Sequence, residues 1–191
     1  MMSHPLFTDL TIEKKDFREA PLEKGEYESC KYAKCILSGT DLSSILFIDC
    51  MFSDCDLSLV NLAKTCFRDV VFKDCKMWGL HFENADPFGL SVTFDHCSLN
   101  HSSFYQVKLK KTHFKGCTLH EADFTESDLT AAVFDHCDLA RATFDHTILE
   151  KADFRTAVNY SIDPENNKIK KARFSAARIA GLLDKYDIDI S

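Results

Sequence analysis

The chain is 191 residues long and 45% hydrophobic, and it carries a formal net charge of −7. It has material for one sizeable core, and its acidic balance argues against direct nucleic-acid binding. No apolar run approaches the ~20 residues of a membrane span and no leader opens the chain, which points to a cytoplasmic protein with no membrane segment.

Residues 1–9 show no clear repeat and are expected to cap an otherwise open first layer. From Ile12 onward an apolar residue recurs at every fifth position: Phe17, Leu22, Tyr27, Tyr32, Leu37, Leu42, Phe47 and on to Phe82. Two residues before many of these stands a small side chain, the first units being degenerate with Lys15 and Gly25 at that position, and Leu22–Gly25 is expected to depart from the pattern. A period of five fits neither the 3.6-residue helix nor the two-residue strand. A helix would spread these apolar residues around every face. A chain that turns a corner every five residues keeps them all inside. Four corners close a square coil, which must stack on its neighbours about 4.8 Å away to bury its core. Sixteen Phe against 5 Tyr and 1 Trp suit such columns, and with 6 Gly the corners are not glycine turns.

The phase then shifts. Phe94 follows Phe82 by twelve residues rather than ten, so two residues are inserted within Asp86-Pro87-Phe88-Gly89-Leu90. Proline and glycine suit a short bulge, and 86–91 is read as a loop. Beyond it the square resumes. Phe94, Phe114, Phe134, Phe154 and Phe174 recur every twenty residues, as do Phe104, Phe124 and Phe144; Leu99, Leu119 and Leu139; and Leu109, Leu129 and Leu149. Eight of the nine cysteines take the small inward position, and only Cys66 falls outward. They read as reduced core fillers, the alternative being disulfides of a secreted domain. After Phe154 the pattern decays through Asp163-Pro-Glu-Asn-Asn167, a turn-rich stretch, and returns at Ile169 and Phe174. Ser175 is expected to start a short α-helix in which Ile179, Leu182, Leu183 and Tyr186 form one apolar stripe. Ile188 and Ile190 then alternate with acids, as in a short strand. The expected division is a solenoid over 1–174 and a C-terminal helix and tail over 175–191.

Phe-Asp-His-Cys occurs at 94–97 and 134–137 and invites a metal or nucleophile reading. The repeat turns Cys97 and Cys137 into the core, with His96 and His136 at outer corners. No phosphate loop, paired CxxC or HExxH is present. The chain is therefore read as a non-enzyme with no catalytic residues, metal or cofactor. Charge is the better clue. Lys108, Lys110, Lys111, Lys151, Lys168, Lys170 and Lys171 gather on one side, and acids occupy the others. The candidate partner-binding acids are Asp54, Asp74, Asp95 and Asp123, with Glu126, Asp135, Asp138 and Asp145. Asp86, Pro87, Phe88 and Gly89 form a candidate loop. One reading is a mixed solvated surface; the other is an acidic rod that occupies the DNA groove of another protein. About eight coils span roughly 40 Å. Two rods joined end to end would match about 24 base pairs of B-DNA.

This pattern of small-Asp-Leu/Phe units from Leu10 to Phe154 resembles the pentapeptide-repeat family, whose fold is a right-handed quadrilateral β-helix. The tail from Asp163-Pro164 through Phe174-Ser-Ala-Ala-Arg-Ile-Ala-Gly-Leu-Leu-Asp-Lys-Tyr is similar to that of the Qnr-type fluoroquinolone-resistance proteins. Phe82-Glu-Asn-Ala85 with Gly89-Leu90 is similar to their mid-rod break. The resemblance implies a tail-to-tail homodimer through Ile179, Leu182, Leu183, Tyr186 and Ile188. It also implies DNA mimicry directed at DNA gyrase and topoisomerase IV, with protection from quinolones. Only a short loop stands where Qnr proteins carry large ones. A rod-like scaffold for another protein partner is the alternative.

Overall fold

A computed structural model describes residues 5–189. Its strands are three or four residues long and lie in two parallel ladders. One ladder stacks Leu6–Thr8, Glu26–Glu28, Leu46–Ile48 and Cys66–Arg68. The other runs from Thr11–Glu13 through Lys31–Ala33, Met51–Ser53, Val70–Lys73, Val92–Asp95 and His113–Lys115 to Val133–Asp135. Single parallel bridges such as Ser98↔Thr118, Asp123↔Thr143 and Asp128↔Ile148 carry the other sides. The fold is the expected quadrilateral β-solenoid. Every partner in these ladders lies twenty residues on, except across the insertion, where Val70 pairs with Val92 and Phe72 with Phe94.

The core is a set of stacked columns. Phe94 and Phe114 stack at 5.1 Å and Phe114 and Phe134 at 4.8 Å. Phe104 meets Phe114 edge-on at 6.1 Å across the centre. Before the loop the second aromatic column stands on a different side: Tyr27, Phe47 and Phe67 meet Tyr32, Phe52 and Phe72 edge-on. The insertion falls where that column changes sides, from Phe67 to Phe82. The inward cysteines repeat one contact: Cys50 Sγ donates to Tyr27 O, Cys75 to Phe52 O and Cys97 to Phe72 O, at 3.3–3.4 Å. All nine cysteines are free and buried.

Three expectations need correction. The solenoid starts before residue 9: Leu6–Thr8 pairs with Glu26–Glu28, and Phe7 stacks on Tyr27 at 4.6 Å. The supposed cap is thus part of the first coil, apart from residues 1–4, which lie outside the described residues. Gly25 takes the small position there because any Cβ would meet the Pro5 carbonyl. Cys66 is outward by register yet buried, since the loop folds over it and sets Phe88 O 3.8 Å from its Sγ. Finally, the C-terminal segment is not an α-helix. Ala176–Leu182 and Asp184–Tyr186 are 3₁₀ turns with a kink at Arg178, and Ser175 makes no side-chain cap. The reason is tertiary competition for carbonyls. Tyr160 Oη donates to Arg178 O and Ile162 N–H to Gly181 O, both at 2.8 Å. These acceptors are then used by the last coil rather than by an i→i−4 ladder.

Candidate functional site

The outer surface is built by the corners. The residue two after most central apolar residues takes a left-handed conformation, as at Asp54 (φ 52), Asp74 (φ 51), His96 (φ 53) and Glu126 (φ 57). Where Asp precedes the central residue, its carboxylate accepts the N–H two residues on. Asp123 Oδ1 binds Thr125 N at 2.9 Å and Asp138 Oδ1 binds Ala140 N at 3.1 Å. Asp128, Asp153 and Asp163 repeat the contact. These acids hold the corners as well as charging the surface, a double role that the small-Asp-Leu/Phe pattern carries in its second position.

The eight candidate acids do not form one row. Asp95 and Asp135 end strands of the long ladder, and Asp54 and Asp74 directly follow two others, so all four lie along one edge. There they are interleaved with bases: Lys115 Nζ is 3.4 Å and His96 Nδ1 2.8 Å from Asp95, and His136 Nδ1 is 2.7 Å from Asp135. Asp138 faces another side, with His120 Nε2 at 3.0 Å and Asn159 Nδ2 at 2.8 Å. These neighbours hold Asp138 and Asp95 below the ordinary carboxylate range against the opposing effect of partial burial, which is the largest single influence on each. Asp123, Glu126 and Asp145 share the remaining acidic side, over Phe124 and Phe144. Glu126 accepts from Gln106 Nε2 at 2.7 Å and Asp145 lies 3.0 Å from His146.

That last side extends further than the candidates. Its outward positions run from His81 and Glu83 through Asp123, Glu126 and Asp145 to Asp163 and Glu165, and none from 81 to 167 is Lys or Arg. Sequence reading left Glu83, Asp163 and Glu165 out of the candidate set. Grouping residues by their place in the twenty-residue coil finds them. At the far end Lys185 closes the strip, 2.8 Å from Asp163 and 2.6 Å from Glu165, and it depresses both carboxyls.

The loop borders the same strip. Asp86 Oδ1 accepts Phe88 N–H at 2.9 Å, Gly89 is left-handed (φ 74), and the Arg68 guanidinium lies over the Phe88 ring at 6.0 Å. Pro87 and Leu90 wall a cleft of about 380 Å³ with Phe82, Glu83 and Tyr105. Phe88 itself points outward and is 76% exposed. At the C-terminal tip Leu182 packs on the core and Leu183 is half-buried, whereas Ile179, Tyr186 and Ile188 are exposed. The predicted stripe is therefore split between the last coil and the outside; Ile190 lies outside the described residues. Among the described residues no group of three His, Cys, Asp or Glu side chains is placed to hold a metal, and no helix is long and apolar enough to cross a membrane.

The family model for the pentapeptide repeat region matches residues 25–104 and 90–174. Among solved structures, full-length QnrB1, described as a plasmid-mediated fluoroquinolone resistance protein, aligns over 96% of this chain and 100% of its own. Its TM-score is 0.53 and its sequence identity 16%, a likeness of fold. HetL, a pentapeptide repeat protein involved in heterocyst differentiation regulation from the cyanobacterium Nostoc sp. strain PCC 7120, covers 91% of this chain and 88% of its own. Its identity is 13% and its TM-score 0.41. No curated protein matches the chain.

Proposed function

The chain belongs to the pentapeptide repeat family, and from that premise we propose that it is a DNA-mimicking rod that binds a type II topoisomerase, DNA gyrase or topoisomerase IV. The observation that carries this reading is the strip from Glu83 to Glu165, a run of carboxylates on one side of a straight scaffold with no Lys or Arg among its outward positions. Coils spaced about 4.8 Å apart set such charges at intervals that a phosphate-binding groove can meet. The rod acts as a cytoplasmic tail-to-tail homodimer through Ile179, Leu183, Tyr186 and Ile188, which doubles the length of the strip. It uses no cofactor and no catalysis, and it touches neither nucleic acid nor membrane. Quinolone protection follows if the loop at Asp86–Gly89 reaches the cleavage site.

A scaffold for a different protein partner is the second reading. The edge that carries Asp95 and Asp135 supports it, because Lys115 and two histidines break the acidic run there.

A gyrase supercoiling assay with and without ciprofloxacin tests the proposal. Inhibition of supercoiling that is lost in Glu126→Lys/Asp145→Lys supports the acidic strip as the contact. Restored supercoiling in the presence of drug adds protection. No effect on gyrase or topoisomerase IV leaves the scaffold reading. Light scattering on Leu183→Glu tests the joint: monomers are expected, and an unchanged dimer would move the interface elsewhere.

A further inference from the structure

The insertion opens a cleft at the corner where the acidic side ends and the loop begins. Its floor is Phe82. One wall is Ala85, Pro87 and Leu90; the other is the Tyr105 ring and Val107, one coil on. Both walls are fixed to the solenoid. Asp86 N–H donates to Thr65 O and Phe88 N–H to Asp86 Oδ1, each at 2.9 Å. Across the cleft Gln106 N–H donates to Thr125 O and Val107 N–H to Phe104 O, each at 3.0 Å. A preformed cleft of about 380 Å³ stands near the lower end of ligand sites, which run on the order of 300–1,000 Å³. That is room for one long side chain.

The rim is Glu83 and Gln106, and no lining residue is Lys, Arg or His. Gln106 Nε2 donates to Tyr105 Oη at 3.0 Å and to Glu126 Oε2 at 2.7 Å, so both amide hydrogens are used and Oε1 is left as an acceptor. Glu83 Oε1 meets His81 Nδ1 at 2.9 Å, and Glu83 Oε2 makes no hydrogen bond among the described residues. The open valences at the rim are therefore mainly acceptors, one of them on a carboxylate.

We propose that this cleft takes the arginine side chain of a protein partner, as an anchor point of the acidic side. An anion would face Glu83, with Glu126 behind Gln106. A neutral apolar group would fill the walls but strip water from the two acceptors and leave them unpaired. A lysine stem would suit the walls, but its compact, strongly hydrated ammonium cannot lie flat on a ring. A guanidinium meets both demands. Its edge presents a fork of donors to Glu83 Oε2 and Gln106 Oε1, and its face and stem lie against the Tyr105 ring and Pro87. Arginine is also among the residues that anchor protein interfaces from within such pockets. The proposal rests on reading the acidic side as a protein-binding surface, and not on the partner being a topoisomerase.

The experiment follows nitrogen–proton correlation spectra of the isotope-labelled full chain, titrated to about 20 mM with end-blocked Gly-Arg-Gly, Gly-Lys-Gly and Gly-citrulline-Gly. Citrulline keeps the shape of arginine and removes its charge. The arginine peptide is expected to shift the amides of Leu90, Tyr105, Gln106 and Val107, with the lysine and citrulline peptides weaker by about five-fold or more. Glu83→Gln is expected to weaken the arginine peptide about five- to ten-fold, and Gln106→Lys to abolish its binding. The backbone accepts Gln106→Lys, because Lys111 (φ 59) and Lys151 (φ 60) already stand in the left-handed conformation of Gln106 (φ 59). Absence of shifts, equal shifts with the citrulline peptide, or shifts of the same size at Asp123 and Asp145 would each overturn the proposal. The supercoiling assay reads separately. Arginine-specific shifts with no effect on gyrase or topoisomerase IV keep the cleft and remove the topoisomerase reading; inhibition without those shifts removes the cleft alone.

Discussion

Tyr27 and Tyr32 pack edge-on in the core with ring centroids 6.3 Å apart, yet among the described residues only one hydroxyl has a partner: Tyr27 Oη donates to Glu23 O at 2.8 Å, while Tyr32 Oη is buried with none. Burial pushes the Tyr27 phenol up to about 12 and that of Tyr32 higher still. Tyr32 occupies a column otherwise filled by Phe52, Phe72 and Phe94, and it stacks on Phe52 at 4.5 Å. An unpaired buried hydroxyl costs about 1–3 kcal/mol. Tyr32→Phe keeps the stack and removes that cost, so it is expected to raise stability by about 1 kcal/mol or more in urea unfolding. Tyr27→Phe loses a made hydrogen bond and is expected to be neutral or destabilising. Equal effects from the two substitutions would refute the assignment.

The thiol columns make the fold sensitive to alkali. Burial pushes the Cys50 thiol to about 11; the contact with Cys75 and then burial raise Cys55; the contact with Cys137 and then burial raise Cys117. A thiol whose pKa is higher folded than unfolded contributes stability that is complete below the unfolded value, near 8.5. That contribution is lost as pH rises above it, because the unfolded chain sheds protons that the folded chain keeps. Each such thiol steepens the loss by roughly 1.4 kcal/mol per pH unit. Under reducing conditions the melting temperature is expected to hold to about pH 8 and fall steeply above pH 9. Cys55→Ala/Cys117→Ala is expected to flatten that fall even where its stability at neutral pH is lower. A wild-type profile level to pH 10 would contradict the buried, reduced assignment.

The corners offer a backbone test. Ala131 sits in the left-handed region (φ 57), where a Cβ costs about 1–2 kcal/mol, partly offset by the greater freedom that glycine loses on folding. Ala131→Gly is expected to stabilise the fold by about 0.5–1 kcal/mol. Gly39 has φ 69 and open space around it, so Gly39→Ala isolates the opposite change and is expected to cost about 1 kcal/mol. Chemical denaturation of the pair checks both signs together.

The five-residue period made the inward columns, the two-residue insertion and the cysteine stack legible, because Phe, Leu and Cys fill inward positions whatever surrounds them. What it hid was set by contacts between distant segments. Phe7 lies on the period, five before Ile12, but no regular unit precedes it, so its pairing with Tyr27 is visible only in space. Cys66 reads as exposed from register and is covered by a loop that follows it by some twenty residues. Asp95 and Asp123 stand on different sides of the coil, while Glu83 shares the side of Asp123, a grouping that needs the twenty-residue coil with its two-residue insertion rather than the five-residue unit. The 3.6-residue stripe of the tail was real as a pattern, but Tyr160 and Ile162 take the carbonyls that an α-helix needs.

Gly181 is where the tail is pressed against the last coil. A Cβ there would overlap the Tyr160 carbonyl and crowd the Tyr160 ring. Gly181→Ala therefore lifts the segment and breaks the bonds from Tyr160 Oη to Arg178 O and from Ile162 N–H to Gly181 O. The bridges from Lys185 to Asp163 and Glu165 are surface contacts and hold little by themselves. The solenoid below is held by its own ladder, so the loss should be local rather than global. The expected outcome is a fall in stability of about 1–3 kcal/mol, faster trypsin cleavage at Arg178 and Lys185, and hydrogen exchange in 176–187 at the rate of an open segment. The core strands such as His113–Lys115 should keep their protection. If the tail of Gly181→Ala stays as protected as that of the wild type, the tail is not docked through Tyr160. The exposed Ile179, Tyr186 and Ile188 would then belong to a free arm rather than to a fixed tip.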